Sequence, residues 1–223
     1  MKFVEYPDRE FLMLSLANKI AGELADFLRR EDRASLCVPG GTTPGPMFDT
    51  LSGVDIDWSK IAVFLNDERW VPETSPRSNT RLLRERLLTG RAAAARFLPL
   101  RADTETPEEA LEGLAAAIEP HLPISVLLLG MGDDMHTASL FPGADRLEEA
   151  LADAAPLLMA LRSEAASEPR ITLTAPALKG ALAIHVLITG AAKREALERA
   201  QGLTPSEAPI KALLANATVH WAE

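Results

Sequence analysis

The segment ISVLLLGMGDDMHTASLFPG, residues 124–143, passes from an apolar stretch straight into a polar, glycine-bearing loop. Ile124 to Leu129 has the apolar continuity of a central parallel strand covered on both faces. Its loop, Gly130 to Gly143, carries two carboxylates, Asp133 and Asp134, just before His136. The same pattern recurs on both sides. Ala34 to Val38 reads as a buried strand broken at Pro39-Gly40-Gly41, and Lys60 to Leu65 as a strand ending in Asn66-Asp67-Glu68-Arg69. Ala181 to Ile188 reads as a strand followed by Gly190 and a helix from Ala191 to Ala200.

Helical patterns separate these runs. Leu12, Leu16, Ile20, Leu24 and Leu28 recur every fourth residue, which predicts an amphipathic helix of about five turns. A second helix starts near Pro44 to Pro46 and runs to about Leu51, and Ser78 or Asn79 caps one carrying Leu82, Leu83, Arg86 and Leu87. Thr106-Pro107-Glu108-Glu109 predicts a further start, with a Thr cap, and a helix reaching about Pro120. Leu157 to Leu161 is another strand candidate, Ile210 to Leu214 looks helical, and Thr218 to Trp221 is a short closing strand. Strands alternating with helices predict an α/β fold with a doubly wound, mainly parallel sheet and helices on both faces. Residues 1–223 read as a single domain. In such a sheet the ligand crevice lies beyond the carboxyl ends of the strands. The polar loops place the chemistry there.

Charge narrows the partners. Thirty-two acidic against 23 basic residues leave a net charge of −9, which repels nucleic acid and anionic membranes. It repels a phosphorylated metabolite as well, so such a ligand needs a local cluster of N–H groups and cations. The single cysteine, Cys37, excludes an intrachain disulfide and reads as a small buried hydrophobe. The N-terminus lacks the pattern of a signal peptide, and no stretch approaches a membrane helix, so cytoplasmic residence is the expectation.

Three loops carry candidate chemistry. Gly40-Gly41-Thr42-Thr43 joins a strand to a helix, where close backbone approach, two hydroxyls and free helical N–H groups suit a phosphate. The glycine spacing is neither a dinucleotide fingerprint nor a P-loop. Asn66 to Pro72 follows a strand with three charges, which either serve a ligand or leave Asp67 and Arg69 to pair or cap neighbours. In the third loop His136 can exchange protons with a bound water, and Asp134 can orient the ring, stabilise its charge or hold a ligand. A metal on Asp133, Asp134 and His136 is the weaker reading, for want of a further ligand at suitable spacing. His185 reads as a core residue, His220 lies in the terminal strand and His121 in a surface turn. Arg170 and Lys193 are the leading cations for a phosphate.

Together these segments resemble the 6-phosphogluconolactonase family. The resemblance rests on Gly40-Gly41-Thr42-Thr43-Pro44, on Asp67-Glu68-Arg69 with Val71-Pro72 and Ser78-Asn79, and on the run from His136 to Gly143. Pro169-Arg170-Ile171-Thr172 and Gly190-Ala191-Ala192-Lys193 add to it. It implies the sugar-phosphate isomerase-like fold, a phosphorylated sugar lactone as substrate, and no metal or organic cofactor. His136, Asp67, Arg69 and Asp134 become the catalytic candidates. Gly40, Gly41, Thr42, Thr43, Asn79, Arg170 and Lys193 become the substrate-binding ones. Two positions depart from the family pattern: Met135 stands where glycine usually precedes the histidine, and Thr42 where serine often follows the double glycine. If residue 135 requires positive φ, a side chain there costs about 1–2 kcal/mol. Two alternatives stay open, an amino-sugar-phosphate isomerase or deaminase and a non-catalytic sugar-phosphate sensor. The first family continues from its histidine loop into Asn-Glu-Pro, where this chain has Leu140-Phe141-Pro142. The sensors usually carry a DNA-binding segment, whereas this chain shows no helix-turn-helix and is acidic. The oligomeric state is left between monomer and homodimer.

Overall fold

A computed structural model describes all 223 residues, Met1–Glu223. In chain order the elements are β1 (Lys2–Glu5), α1 (Arg9–Arg30), β2 (Ala34–Val38), α2 (Gly45–Ser52), β3 (Ile61–Leu65) and β4 (Asp67–Arg69). They continue with α3 (Asn79–Arg86), β5 (Arg96–Leu98), α4 (Leu111–Ile118), β6 (Val126–Gly130), α5 (Leu147–Leu151), β7 (Leu158–Leu161) and β8 (Arg170–Leu173). The chain closes with α6 (Ala175–Lys179), β9 (Ala183–Thr189), α7 (Ala191–Ala200), α8 (Lys211–Leu214) and β10 (Ala217–Ala222).

The apolar runs become the centre of a seven-stranded sheet in the order β1-β10-β9-β6-β2-β3-β5, parallel throughout. Every residue of β2 and β3 is buried, as a strand covered on both faces requires. α1 begins at Asp8, whose carboxylate accepts the Phe11 N–H at 2.7 Å, and it buries Leu12, Leu16, Ile20 and Leu24 completely. Each such side chain contributes about 1.5–3 kcal/mol of hydrophobic stabilisation. That apolar stripe lies across β2, β6 and β10. No helix is long and apolar enough to cross a membrane.

The chain builds outward from β2 to β3 and β5, then returns to lay β6 on the other side of β2. Winding reverses between β2 and β6, so the loops leaving them diverge and open a crevice at their carboxyl ends.

Part of the architecture differs from the reading of the sequence. Asn66–Arg69, taken as loop, and Pro169–Thr174, assigned to no element, supply β4 and β8; β8 pairs antiparallel with β4 on one side and β7 on the other in a separate three-stranded sheet. These strands are three or four residues long, too short to show a period. β1 and β5, also short, gave no signal. The Thr106 hydroxyl donates to the Glu109 carboxylate at 2.8 Å instead of capping a helix, and the turn after it is 3-10.

Behind β9 and β10 lies a buried polar chain. His185 Nε2 donates to Glu23 Oε2 at 2.7 Å, His220 Nε2 donates to His185 Nδ1 at 3.0 Å, and the Tyr6 hydroxyl donates to His220 Nδ1 at 2.8 Å. Every site is satisfied with both rings neutral, so His185 is the satisfied core residue expected. Lys19 pairs with Glu23 at 2.9 Å, and Lys2 adds further positive charge nearby. Burial, then His185 and Lys19, depress His220 to about 3. An unfolded histidine takes up its proton near 6.5, whereas the folded ring refuses it until far lower. This contribution is therefore complete above pH 6.5 and declines as the pH falls, by up to about 1.4 kcal/mol per unit. Urea unfolding at pH 6.5 and 5.0 should show a loss of about 2 kcal/mol from this source. His220→Gln should remove most of it; parallel pH dependences of the two proteins would contradict the assignment.

Candidate active site

The loops leaving β2, β3, β6 and β9 surround a cavity of about 240 Å³. His136 lines it from the loop after β6. That loop folds on itself: the Gly132 N–H donates to the His136 carbonyl at 2.9 Å, the Met135 N–H to the Gly132 carbonyl at 3.0 Å, and the Thr137 hydroxyl to the Gly130 carbonyl at 2.8 Å. A Cβ on Gly132 would fall within the His136 ring and the Asp134 carboxylate, so only glycine leaves room for them. Met135 does adopt positive φ, 65°. Its carbonyl accepts the Ile210 N–H at 3.1 Å and its side chain packs against the core, which offsets the backbone strain.

Asp134 Oδ1 lies 2.5 Å from His136 Nδ1 and also accepts the His136 N–H at 3.2 Å. Burial pushes the Asp134 carboxyl up, but the hydrogen bonds and charge of His136 outweigh it and hold the group below the usual range. An ionised carboxylate only accepts, so Nδ1 carries the proton and Nε2 is left without a partner. Phe141 lies against the imidazole, ring centroids 4.2 Å apart. Asp133 does not join this pair; its carboxylate is 3.2 Å from Lys193 Nζ. No three acidic, histidine or cysteine side chains converge as a metal-ligating group.

The small antiparallel sheet brings in the other charges. Asp67 and Arg69 project from the same side of β4, and both line the cavity with Arg170 of β8. Asp67 and Arg69 neither pair with each other nor cap a helix. Asp67 Oδ2 accepts the Ser139 hydroxyl at 2.6 Å and lies 3.6 Å from Arg170. Arg69 Nη1 donates to the Arg77 carbonyl at 2.6 Å and to Asn79 Oδ1 at 3.3 Å. The Nε groups of Arg69 and Arg170 are buried without a hydrogen-bond partner. Burial lowers the Arg170 pKa, against the pull of Asp67.

Gly40, Gly41 and Thr43 line the cavity from the loop after β2, and the Asn79 side chain fills the space a Cβ on Gly40 would need. Thr42 stands apart, in an adjoining cavity with Arg9 and Thr50; Thr43 and Thr189 border both. Lys193 enters from the first turn of α7, whose leading N–H groups meet no capping side chain. Gly190, which heads that helix, is held by its N–H on the Ala222 carbonyl at 2.8 Å and by the Trp221 indole on its own carbonyl at 2.9 Å. Cys37 is buried, and burial with the Asp67 charge pushes its thiol well up, away from reactivity. Ser139, Gly132 and Glu68 were not singled out from the sequence as site residues. The close approach at Gly132 and the Ser139–Asp67 contact join residues whose proximity only folding reveals.

This cavity is suited to an oxyanion. Inorganic phosphate at ten times its dissociation constant should add about 1.4 kcal/mol of stability, seen as a rise in Tm. Lys193→Ala should reduce that rise at the same phosphate concentration, and an equal rise in both proteins would place the anion elsewhere.

Comparison with known proteins agrees with this arrangement. Residues 7–221 match the family model described as glucosamine-6-phosphate isomerases/6-phosphogluconolactonase. The 6-phosphogluconolactonase of Rhizobium meliloti (strain 1021) is 42% identical over 217 residues, covering 93% of each chain. That of Caulobacter vibrioides is 36% identical over 230 residues, covering 100% of this chain and 98% of its own. The crystal structure of a 6-phosphogluconolactonase from Shewanella baltica OS155 superposes with a TM-score of 0.96 at 35% identity, over 100% of this chain and 98% of that one. The chain belongs to the glucosamine-6-phosphate isomerase/6-phosphogluconolactonase family.

Proposed function

We propose that this chain hydrolyses 6-phospho-D-glucono-1,5-lactone to 6-phosphogluconate, the lactone-opening step of the oxidative pentose phosphate pathway, as a carboxylic ester hydrolase. One observation carries the reading: an imidazole oriented by a carboxylate at 2.5 Å shares a cavity with Arg69, Arg170 and Lys193. The substrate needs both halves, a base for water and cations for its phosphate.

His136 Nε2 takes a proton from water as the oxygen attacks the lactone carbonyl. Asp134 keeps the ring in the productive tautomer and stabilises the imidazolium. Negative charge gathers on the carbonyl oxygen, where Arg69 or nearby backbone N–H groups offset it. The bond from the carbonyl carbon to the ring oxygen then breaks, and the proton held by His136 passes to that oxygen. Gly40, Gly41, Thr43, Asn79, Arg170, Lys193 and the start of α7 hold the phosphate and sugar. Thr42 acts through the loop instead of by contact. Asp67, bound by Ser139 and beside Arg170, fits a role on the sugar hydroxyls and not on His136. The protein works in the cytoplasm on a small phosphorylated lactone, without nucleic acid, membrane or cofactor, with residues 1–223 folded as one domain and as a monomer or homodimer.

Freshly generated lactone, followed by NMR against spontaneous opening, tests the function; no acceleration over the buffer rate would refute it. His136→Ala should cut kcat by about 10²–10⁴-fold with little change in KM. Gly132→Ala, which crowds the ring without removing it, should lower kcat about 10²-fold. If the added methyl leaves turnover intact, the imidazole does not act from the position described.

A further inference from the structure

Glu68 is the one charge of the Asp67-Glu68-Arg69 run that faces away from the cavity, and it is fully buried. Its two oxygens take four donors. Oε1 accepts the backbone N–H of Arg69 at 2.7 Å and of Asn79 at 2.8 Å; Oε2 accepts the N–H of Thr80 at 2.7 Å and the Ser78 hydroxyl at 3.2 Å. The donors come from the end of β4 and from the first residues of α3 with its capping serine. A carboxylate there meets the partial positive charge of the helix start, and its bonds are charge-assisted.

What the carboxylate fastens is the back of the binding cavity. Asn79, the first residue of α3, reaches from this anchor to accept from Arg69 Nη1 at 3.3 Å, donates to the Asp67 carbonyl at 3.1 Å, and packs on Gly40. Arg69 has its N–H on Glu68 and its guanidinium in the cavity. One side chain therefore fixes both ends of the Arg69–Asn79 contact, and through Gly40 the edge of the glycine loop. Burying a carboxylate is costly, and a helix start can be capped by serine alone. The extra cost is consistent with a demand for placement.

We propose that Glu68 is a positioning residue for substrate binding, setting Arg69 and Asn79 from behind and touching no substrate itself. The proposal rests on the lactonase reading, which turnover by the unsubstituted chain tests separately. Glu68→Gln keeps the volume but turns one oxygen into a donor that faces N–H or O–H donors.

The test compares KM, kcat and the dissociation constant of 6-phosphogluconate for the native chain, Glu68→Gln, Arg69→Ala and the double variant, each at a temperature where circular dichroism shows it folded. Glu68→Gln should raise KM and the dissociation constant about tenfold, with kcat falling no further than it does in Arg69→Ala. In the Arg69→Ala background the same change should add clearly less than tenfold, because one of the two residues through which it acts is gone. A lower Tm with unchanged KM and binding would reduce Glu68 to a scaffold residue and overturn the proposal. Effects that multiply independently in the double variant would overturn it too. If Glu68→Gln does not fold, Ser78→Ala, which removes one donor of the four, decides: the proposal requires KM to rise about two- to threefold, and an unchanged KM refutes it.

Discussion

Positive charge has to be gathered and left largely unspent in a chain whose net charge is −9. Arg69 and Arg170 lie directly opposite each other in the β4–β8 pair, an arrangement of like charges that disfavours strand pairing. Asp67 relieves part of that repulsion at 3.6 Å from Arg170. It leaves the Nε groups of both arginines buried without partners. The three-stranded sheet makes sense in these terms, as a device that holds two guanidinium groups over the strand ends of the main sheet.

The imidazole is held by a different kind of constraint. Its loop leaves β6 beside the point where the winding reverses, closes on itself within a few residues, and keeps glycine where a side chain would displace the imidazole. Met135 shows how much the surroundings dictate here. An ordinary L-residue is held at a φ of 65°, and the hydrogen bond from Ile210 together with core packing keeps it there. The departure from the family pattern at this position is absorbed by the loop, and the Asp134–His136 contact forms nonetheless.

The parallel core was legible because each central strand is a continuous apolar run bounded by polar loops, and α1 because its leucines keep a four-residue spacing. The small sheet was not legible: β4 and β8 are charged, three or four residues long, and defined by pairing across about a hundred residues of chain. Of the cavity-lining residues, His136 and Lys193 could be found from residue type and their place after apolar strands, and Arg170 from residue type alone; Asp134 lies beside the imidazole. Which acid serves the histidine could not be read, since Asp67 and Asp134 both qualify by type, and only the fold commits Asp67 to Ser139 and Arg170. Thr42 and Glu68 mark the same boundary. Adjacent residues in a loop or strand look alike in sequence, yet one points into the cavity and its neighbour away from it.

The central claim is that Asp134 fixes His136 with its proton on Nδ1 and a free Nε2 in the substrate cavity. Nitrogen-15 NMR of the histidine-labelled protein near neutral pH tests it most directly, with His136→Gln used to assign the signal. The account requires the Nδ1–H tautomer for His136 and a shift of its Nε2 resonance on adding 6-phosphogluconate. An Nε2–H tautomer, or a resonance indifferent to saturating ligand, would contradict it.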